Sequence, residues 1–250
     1  MLHADDLLSG PSLDGVRVGI GSGDGSGNVE RSVATSSAQV FIYHDAKEMA
    51  EALYRGDIDA AVRGTLPASA AMSALKERFQ MPSLMRMVIM ESREGEVFFL
   101  ASVGIDEGWT VDEKHSMVVS GSRMMRKLGV EPRVAVMSGG RAGDKGRNPV
   151  VDRSIDDALE LVQLLRQEGY DAYHAEILLE SAVREANMII APDGMSGNII
   201  FRALHFVGGC KALGAPVLNL EKVFVDTSRV KSDFQDSIAL ALRLVREVGK

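Results

Sequence analysis

The chain has 250 residues, 46% of them hydrophobic and 25% charged, with a formal net charge of -7 and a pI near 5.3. That composition suits a globular α/β chain with a sizeable core and argues against a nucleic-acid surface, as no Lys/Arg run could neutralise consecutive phosphates. The single cysteine, Cys210, excludes an internal disulfide and a cysteine-rich metal site, so the expected compartment is a reducing cytoplasm.

The opening MLHADDLLSG carries two acids and no apolar core, so neither a signal peptide nor a membrane span is expected there. Val16, Val18 and Ile20 predict a strand running into GIGSGDGSGN, where glycine stands at every second position from Gly19 to Gly27. The dinucleotide fingerprint fails, because Asp24 and Ser26 occupy the places of its third glycine, and no G-K-[ST] makes a P-loop. Gly19, Gly21 and Gly23 do spell the G-x-G-x-G of S-adenosylmethionine methyltransferases. Arg17 and Val18, however, stand where that pattern wants its first acid, and only Asp45 could serve as its second. A flexible loop facing a cleft is the preferred reading.

Residues 40–43 predict the second strand, followed by a helix capped by Asp45, with Glu48 completing a capping box and Gly56 as the stop. A third strand over 58–62 places Arg63, Thr65 and Ser69 at its carboxyl end, facing a crevice. Residues 84–90 and 97–103, joined by the polar ESREGE, predict a hairpin of the kind that adds strands in a second domain. The methionines from Met72 to Met137 read as core filler.

A helix over 111–128 ends at Gly129, and a strand over 133–137 delivers the loop SGGRAGDKGRNP. Its Arg141, Lys145 and Arg147 either hold a phosphate or diphosphate or are simply solvated. Ser154 is expected to cap the next helix, through Glu168, with Asp156 and Asp157 in its first turn. A strand over 170–174 and a helix over 177–186 lead into EANMIIAPDGMSGNIIFRAL. There the apolar run 188–191 suits a buried parallel strand, stopped by Pro192, Gly194 and Gly197, and Asn198 is expected to cap the following helix. A strand ending in a glycine loop at a helix N-terminus either presents N–H groups to a phosphate or carboxylate or is a tight turn. A last strand over 216–220, a loop VFVDTSRVKSD and a closing helix over 234–248 complete the chain. Strands alternating with helices imply a parallel sheet with binding loops at its carboxyl ends.

PDGMSGNIIFRA resembles the Pro-Asp-x-x-x-Gly-Asn segment of the phosphate acyltransferase superfamily, which includes phosphotransacetylase and phosphotransbutyrylase. In the same order, DAAVRGTLPASAAM (59–72), EPRVAVMSGGRAG (131–143), AEILLESAV (175–183), ANMIIAPD (186–193) and VDTSR (225–229) resemble further segments of that superfamily. Together they cover most of the chain from about residue 16. Within the superfamily the chain most resembles a short archaeal group, the methanogenesis marker 4 proteins, also called methyltransferase-related MtxX, which share the GIGSGDGSGN opening.

The resemblance implies a two-domain, three-layer α/β sandwich of the isocitrate/isopropylmalate dehydrogenase-like (phosphotransacetylase) type. Residues 1–78 with 223–250 would form a discontinuous domain, and 79–222 a middle one. It also implies acyl transfer between phosphate and the thiol of coenzyme A, through a tetrahedral intermediate whose oxyanion needs donors and whose thiol needs a base. Ser228 and Arg229 match the Ser-Arg pair that positions and stabilises this intermediate. Asp236, or Asp233 if nothing is inserted, matches the aspartate that takes the thiol proton. Asp193, Gly197 and Asn198 match the ligand-facing loop, and Arg63, Ser69, Ser138 and Arg141 complete the candidate substrate-binding set.

Three departures stand out. Val230 replaces the glycine after the Ser-Arg pair, Ala68 and Ser69 replace paired threonines, and Ala74 replaces a phosphate-clamping arginine whose charge Arg63 or Arg141 would have to supply. The expected ligand is a small phosphate or acyl-CoA, with coenzyme A as a substrate and no tightly bound cofactor. No metal is expected, since His44, His115, His174 and His205 fit no zinc spacing. No membrane partner is expected, and a homodimer is. Two alternatives stay open: a methyltransferase, and a phosphate- or CoA-binding accessory protein without turnover, which Ala74 and Val230 favour.

Overall fold

A computed structural model of the chain describes residues 3–9, 15–23, 25 and 27–248. In chain order the elements are α1 (Ala4–Leu8), β1 (Arg17–Gly21), α2 (Asn28–Ala34), β2 (Gln39–Tyr43), α3 (Ala46–Arg55), β3 (Ala60–Val62) and α4 (Ala68–Phe79). Next come β4 (Met87–Glu91), β5 (Val97–Ala101), α5 (Val111–Lys127), β6 (Arg133–Met137), α6 (Pro149–Gln167), β7 (Asp171–Glu176), α7 (Leu179–Glu185) and β8 (Met188–Ile190). The chain closes with α8 (Gly194–Arg202), which runs into a π turn (Ala203–Val207), then β9 (Lys211–Pro216), β10 (Val223–Asp226) and α9 (Gln235–Val248). Asp24 and Ser26, on which the fingerprint argument turned, and Met1, Leu2 and Gly10 of the leader lie outside the described residues.

The chain divides into two compact units, a terminal one of Ala4–Leu84 and Leu213–Lys250 and a middle one of Met1–His3 and Met85–Ala212. In the terminal unit the strands run β2-β1-β3-β10-β9, with β1, β2, β3 and β10 parallel and β9 antiparallel to β10. Val18, Ile20, Val62 and Val225 are fully buried, as central parallel strands covered on both faces require. Asp45 accepts from the Lys47 and Glu48 N–H groups to start α3, and Gly56, at φ 78°, ends it. Met49, Leu53 and Leu75 from α3 and α4 then pack with Ile58 and Phe224. The leader is less polar in effect than it reads: Ala4 and Leu7 are buried, and α1 lies against α9.

The last strands differ from expectation. Pro216 ends β9 instead of opening a strand, and the run 223–226, expected as loop, is β10, paired in parallel with β3. Pro216 has no N–H to donate, which suits the end of a strand, while Val223, Phe224 and Val225 are apolar enough to be buried at the centre of the sheet.

In the middle unit the order is β4-β5-β8-β6-β7, an antiparallel β4–β5 hairpin followed by parallel strands. Thr110 caps α5. The start of α6 lies earlier than expected: Asn148 accepts from the Val150 N–H and Pro149 opens the helix, while Ser154 sits inside it and accepts from the Gly139 N–H at 2.9 Å. Proline has its φ preset for a first helical turn, so the Asn-Pro pair is the stronger start signal. Asp152, not Asp156 or Asp157, therefore lies in the first turn. Among the described residues no helix is long and apolar enough to cross a membrane.

Candidate functional site

In the terminal unit, β1, β3 and β10 are parallel neighbours, so the loops that follow them open on one side of the sheet. Backbone and side-chain bonds lace these loops together. Gly23 N–H donates to Thr65 Oγ1 at 2.9 Å, Thr227 Oγ1 donates to the Gly64 carbonyl at 3.0 Å, and the Arg63 N–H donates to the Val225 carbonyl at 2.9 Å. Arg63 and Thr65 do not face a crevice as expected. Arg63 is 5% exposed, its guanidinium is ion-paired with Asp226, and it donates to the Leu66 carbonyl at 2.7 Å; Thr65 is 1% exposed. Arg63 is thus committed inside the fold, and turning it toward a phosphate would break a buried ion pair. Ala74 is itself part of the buried core, where an arginine would not fit.

Ser69 is exposed in the first turn of α4. The segment after β10 carries Ser228, half-buried, and Arg229, exposed. Among the described residues Arg229 is ion-paired with no carboxylate: Asp226 is held by Arg63, and Asp233 Oδ1 accepts from the Gln235 N–H at 2.9 Å and from Ser32 Oγ at 3.2 Å. Asp233 is committed to the start of α9, whereas Asp236 is exposed in its first turn. Lys231, two residues after Arg229, is half-buried, and burial pushes its amine below the usual lysine range against the pull of Asp236 and Asp233.

In the middle unit the central loop is built differently from its reading. Asp193, not Asn198, caps α8, accepting from the Ser196 N–H at 2.7 Å. Asn198 lies inside α8, and its amide donates to the Val103 carbonyl at 2.8 Å. Asp193 wins the cap because it stands in extended backbone three residues before the N–H it accepts from. The glycines permit contact rather than a loop: a Cβ on Gly194 would lie 1.8 Å from the Gly104 carbonyl oxygen, and one on Gly197 would lie 1.9 Å from that of Ser102. The segment that receives them is braced by Arg86, whose N–H and Nε both donate to the buried Glu107.

The loop after β6 is largely self-satisfied. Lys145 pairs with Asp156, Arg147 with Asp144 at 2.5 Å, and the N–H groups of Arg141, Ala142 and Gly146 donate to Asp144, Glu176 and Asp152. Of the three cations, only Arg141 remains as a ligand candidate, and it is exposed. Ser138 is 1% exposed and its hydroxyl is engaged by the Gly140 carbonyl and His174 Nε2, each at 2.8 Å. Glu176 holds a left-handed φ of 56°, kept there by the Ser138 N–H on its carbonyl and the Ala142 N–H on its carboxylate.

Sequence reading did not single out Lys114, Glu176 or Lys231, and it weighed His174 only as a zinc ligand. Lys114 had a signal: it lies on the stripe of Met117, Val118, Gly121 and Met125 that α5 buries, and it is 4% exposed. Its Nζ donates to the Pro192 carbonyl at 3.1 Å, with Asp157 at 3.8 Å, and burial lowers its pKa. His174 is likewise pushed below the usual histidine range by burial. The folded state therefore prefers the neutral imidazole, and stability should fall as pH drops below the ordinary histidine pKa of 6.5, where the unfolded chain takes the proton first. His174→Gln, which keeps a donor toward Ser138, is expected to flatten the fall in melting temperature between about pH 7 and pH 5. Melting curves at the two pH values check this; equal slopes in both proteins would remove His174 from the account.

The fold and these strand-end loops define a class: an α/β protein of the isocitrate/isopropylmalate dehydrogenase-like, phosphotransacetylase type. A branched-chain phosphotransacylase from Enterococcus faecalis superimposes with a TM-score of 0.69 at 17% identity, over 94% of this chain and 100% of its own. The sequence profile of the Phosphate acetyl/butaryl transferase family matches residues 28–242, and the chain belongs to that family. Two methanogen relatives are more similar in sequence. One, from Methanosarcina barkeri and provisionally named methyltransferase mtx subunit X, is 46% identical over 79% of this chain and 73% of its own. The other, an uncharacterised methyltransferase by name from Methanopyrus kandleri, is 36% identical over 94% of this chain and 99% of its own.

Proposed function

We propose that the protein moves an acyl group between phosphate and the thiol of coenzyme A, in the metabolism of a methanogen. The observation that carries this reading is the segment after β10, where the family's Ser-Arg pair falls on an exposed arginine with no carboxylate partner among the described residues. In this reading the thiol proton passes to Asp236 as the sulfur attacks the acyl carbon. The tetrahedral oxyanion is met by the Arg229 guanidinium and the Ser228 hydroxyl. The bond from carbon to phosphate oxygen then breaks, and phosphate departs.

The names of the methanogen relatives favour a second reading, methyl transfer from S-adenosylmethionine. The glycine pattern that suggested it has another explanation. A Cβ on Gly19 would lie 2.4 Å from Ile58 Cδ1, and one on Gly21 would lie 2.3 Å from Leu66 Cδ1 and 2.5 Å from the Arg63 carbonyl oxygen. These glycines let β1 lie close to β3 and its loop, a need that exists without a ligand. Asp45, the only second acid, is exposed and committed to capping α3.

A thermal-shift panel with coenzyme A, acetyl phosphate, inorganic phosphate and S-adenosylmethionine separates the readings. A ligand at about 100 times its Kd stabilises by about 2.7 kcal/mol and should raise the melting temperature by roughly 5–10 °C. The expected result is a shift with coenzyme A or acetyl phosphate, followed by acetyl-CoA formation in the presence of both. A shift with S-adenosylmethionine alone would overturn the proposal in favour of methyl transfer.

A further inference from the structure

The Ser228–Arg229 pair is followed by Val230, where the resembled family segment has glycine, and then by Lys231. Three sets of bonds converge on it. Its N–H donates to the Ser228 carbonyl at 3.2 Å, closing a turn with Arg229 and Val230 at the exposed apex. Its carbonyl accepts from the Asn28 amide at 3.4 Å, at the start of α2. Its side chain turns away from the apex: Nζ donates to Ser237 Oγ at 3.0 Å and to the Leu213 carbonyl at 3.4 Å. Ser237 is fully buried in α9 and donates in turn to the same Leu213 carbonyl at 2.5 Å.

One residue therefore fastens the turn to β9, to α9 and to the start of α2. An ammonium beside the N-terminus of a helix opposes the helix dipole, so this placement is not explained by helix stability alone. The charge is tolerated because Asp233 and Asp236 lie within electrostatic range on the same side.

We infer that Lys231 is the positioning residue of the Ser228–Arg229 turn, fixing the direction of the two groups that meet the reacting acyl phosphate in the absence of a flexible glycine. This rests on the acyl-transfer reading for its chemistry and on the terminal unit's geometry alone for its structural part. An arginine displaced by about 1 Å can lose on the order of 100-fold in rate while substrate is still bound, because the lost interaction is made in the transition state.

The test compares Lys231→Met, which removes every side-chain donor at similar volume, with Lys231→Arg and Ser237→Ala. Acetyl transfer and amide hydrogen exchange are measured on each full-length protein. Lys231→Met is expected to lower kcat about tenfold or more, to leave KM for coenzyme A within about twofold, and to speed exchange over residues 228–233 while β10 stays protected. Lys231→Arg should recover part of the kcat, and Ser237→Ala should shift both readouts in the same direction by less. Unchanged exchange in Lys231→Met, or faster exchange with an unaltered kcat, overturns the proposal, as does a loss confined to KM. If the wild-type protein transfers no acyl group, the acyl-transfer reading falls by itself. The exchange comparison then still decides whether Lys231 fixes the turn.

Discussion

Arg229→Ala is expected to lower acyl transfer by about 10²–10³-fold while leaving the melting temperature within a degree or two. Both halves follow from the same facts. The side chain is exposed and has no carboxylate partner among the described residues, so its charge is solvated and its removal leaves no buried group unsatisfied. A guanidinium aimed at an oxyanion acts only when that charge develops, so the loss should fall on kcat more than on KM. Arg229→Lys keeps the charge but not the planar fork and should retain part of the activity. The measurement is steady-state acetyl-CoA formation with a melting curve on the same preparations. Turnover equal to wild type in Arg229→Ala would remove this arginine from the mechanism.

Arg63→Met is expected to have the opposite profile, a loss of about 3–5 kcal/mol that shows as a fall of roughly 10 °C or more in melting temperature. Arg63 and Asp226 are both buried, and the substitution takes from the Asp226 carboxylate its guanidinium partner where little water can replace it. Asp226 also accepts from the Thr227 N–H at 2.8 Å, so it helps shape the backbone that leads to Ser228. The double change Arg63→Met/Asp226→Asn keeps an acceptor for that N–H and removes the buried charge that Arg63 balances. It should recover at least half of the loss. If the double variant is as unstable as Arg63→Met alone, the pair is not what holds these strands and their loops.

Arg63 also shows where reading the sequence fell short. An arginine at a strand's carboxyl end reads as a ligand-facing cation, and nothing local reveals that Asp226, 163 positions away, lies beside it. Gly194 and Gly197 misled in a related way. Glycines before a helix suggest a loop for a ligand, whereas here they admit the carbonyls of Gly104 and Ser102 to the surface of α8. The loop cations Lys145 and Arg147 looked available because their partners, Asp156 and Asp144, could not be assigned from spacing.

Other features needed no tertiary information. The cap at Asp45, the stop at Gly56, the hairpin around ESREGE and the buried run 188–191, whose first three residues form β8, are local decisions of propensity, capping and apolar patterning, and the structure carries each of them. The α/β class and the family followed from the alternation of elements and the order of short motifs. What only the tertiary structure decided was the use of each polar side chain: Arg63 as a buried pair, Asp193 as a cap, Asn198 as a tie to Val103, Lys231 as the anchor of a turn. The physical reason is range. Helix caps and strand runs are fixed by neighbours a few residues away, while the cost of burying a charge or an amide is met by partners that only the folded chain brings within 3 or 4 Å.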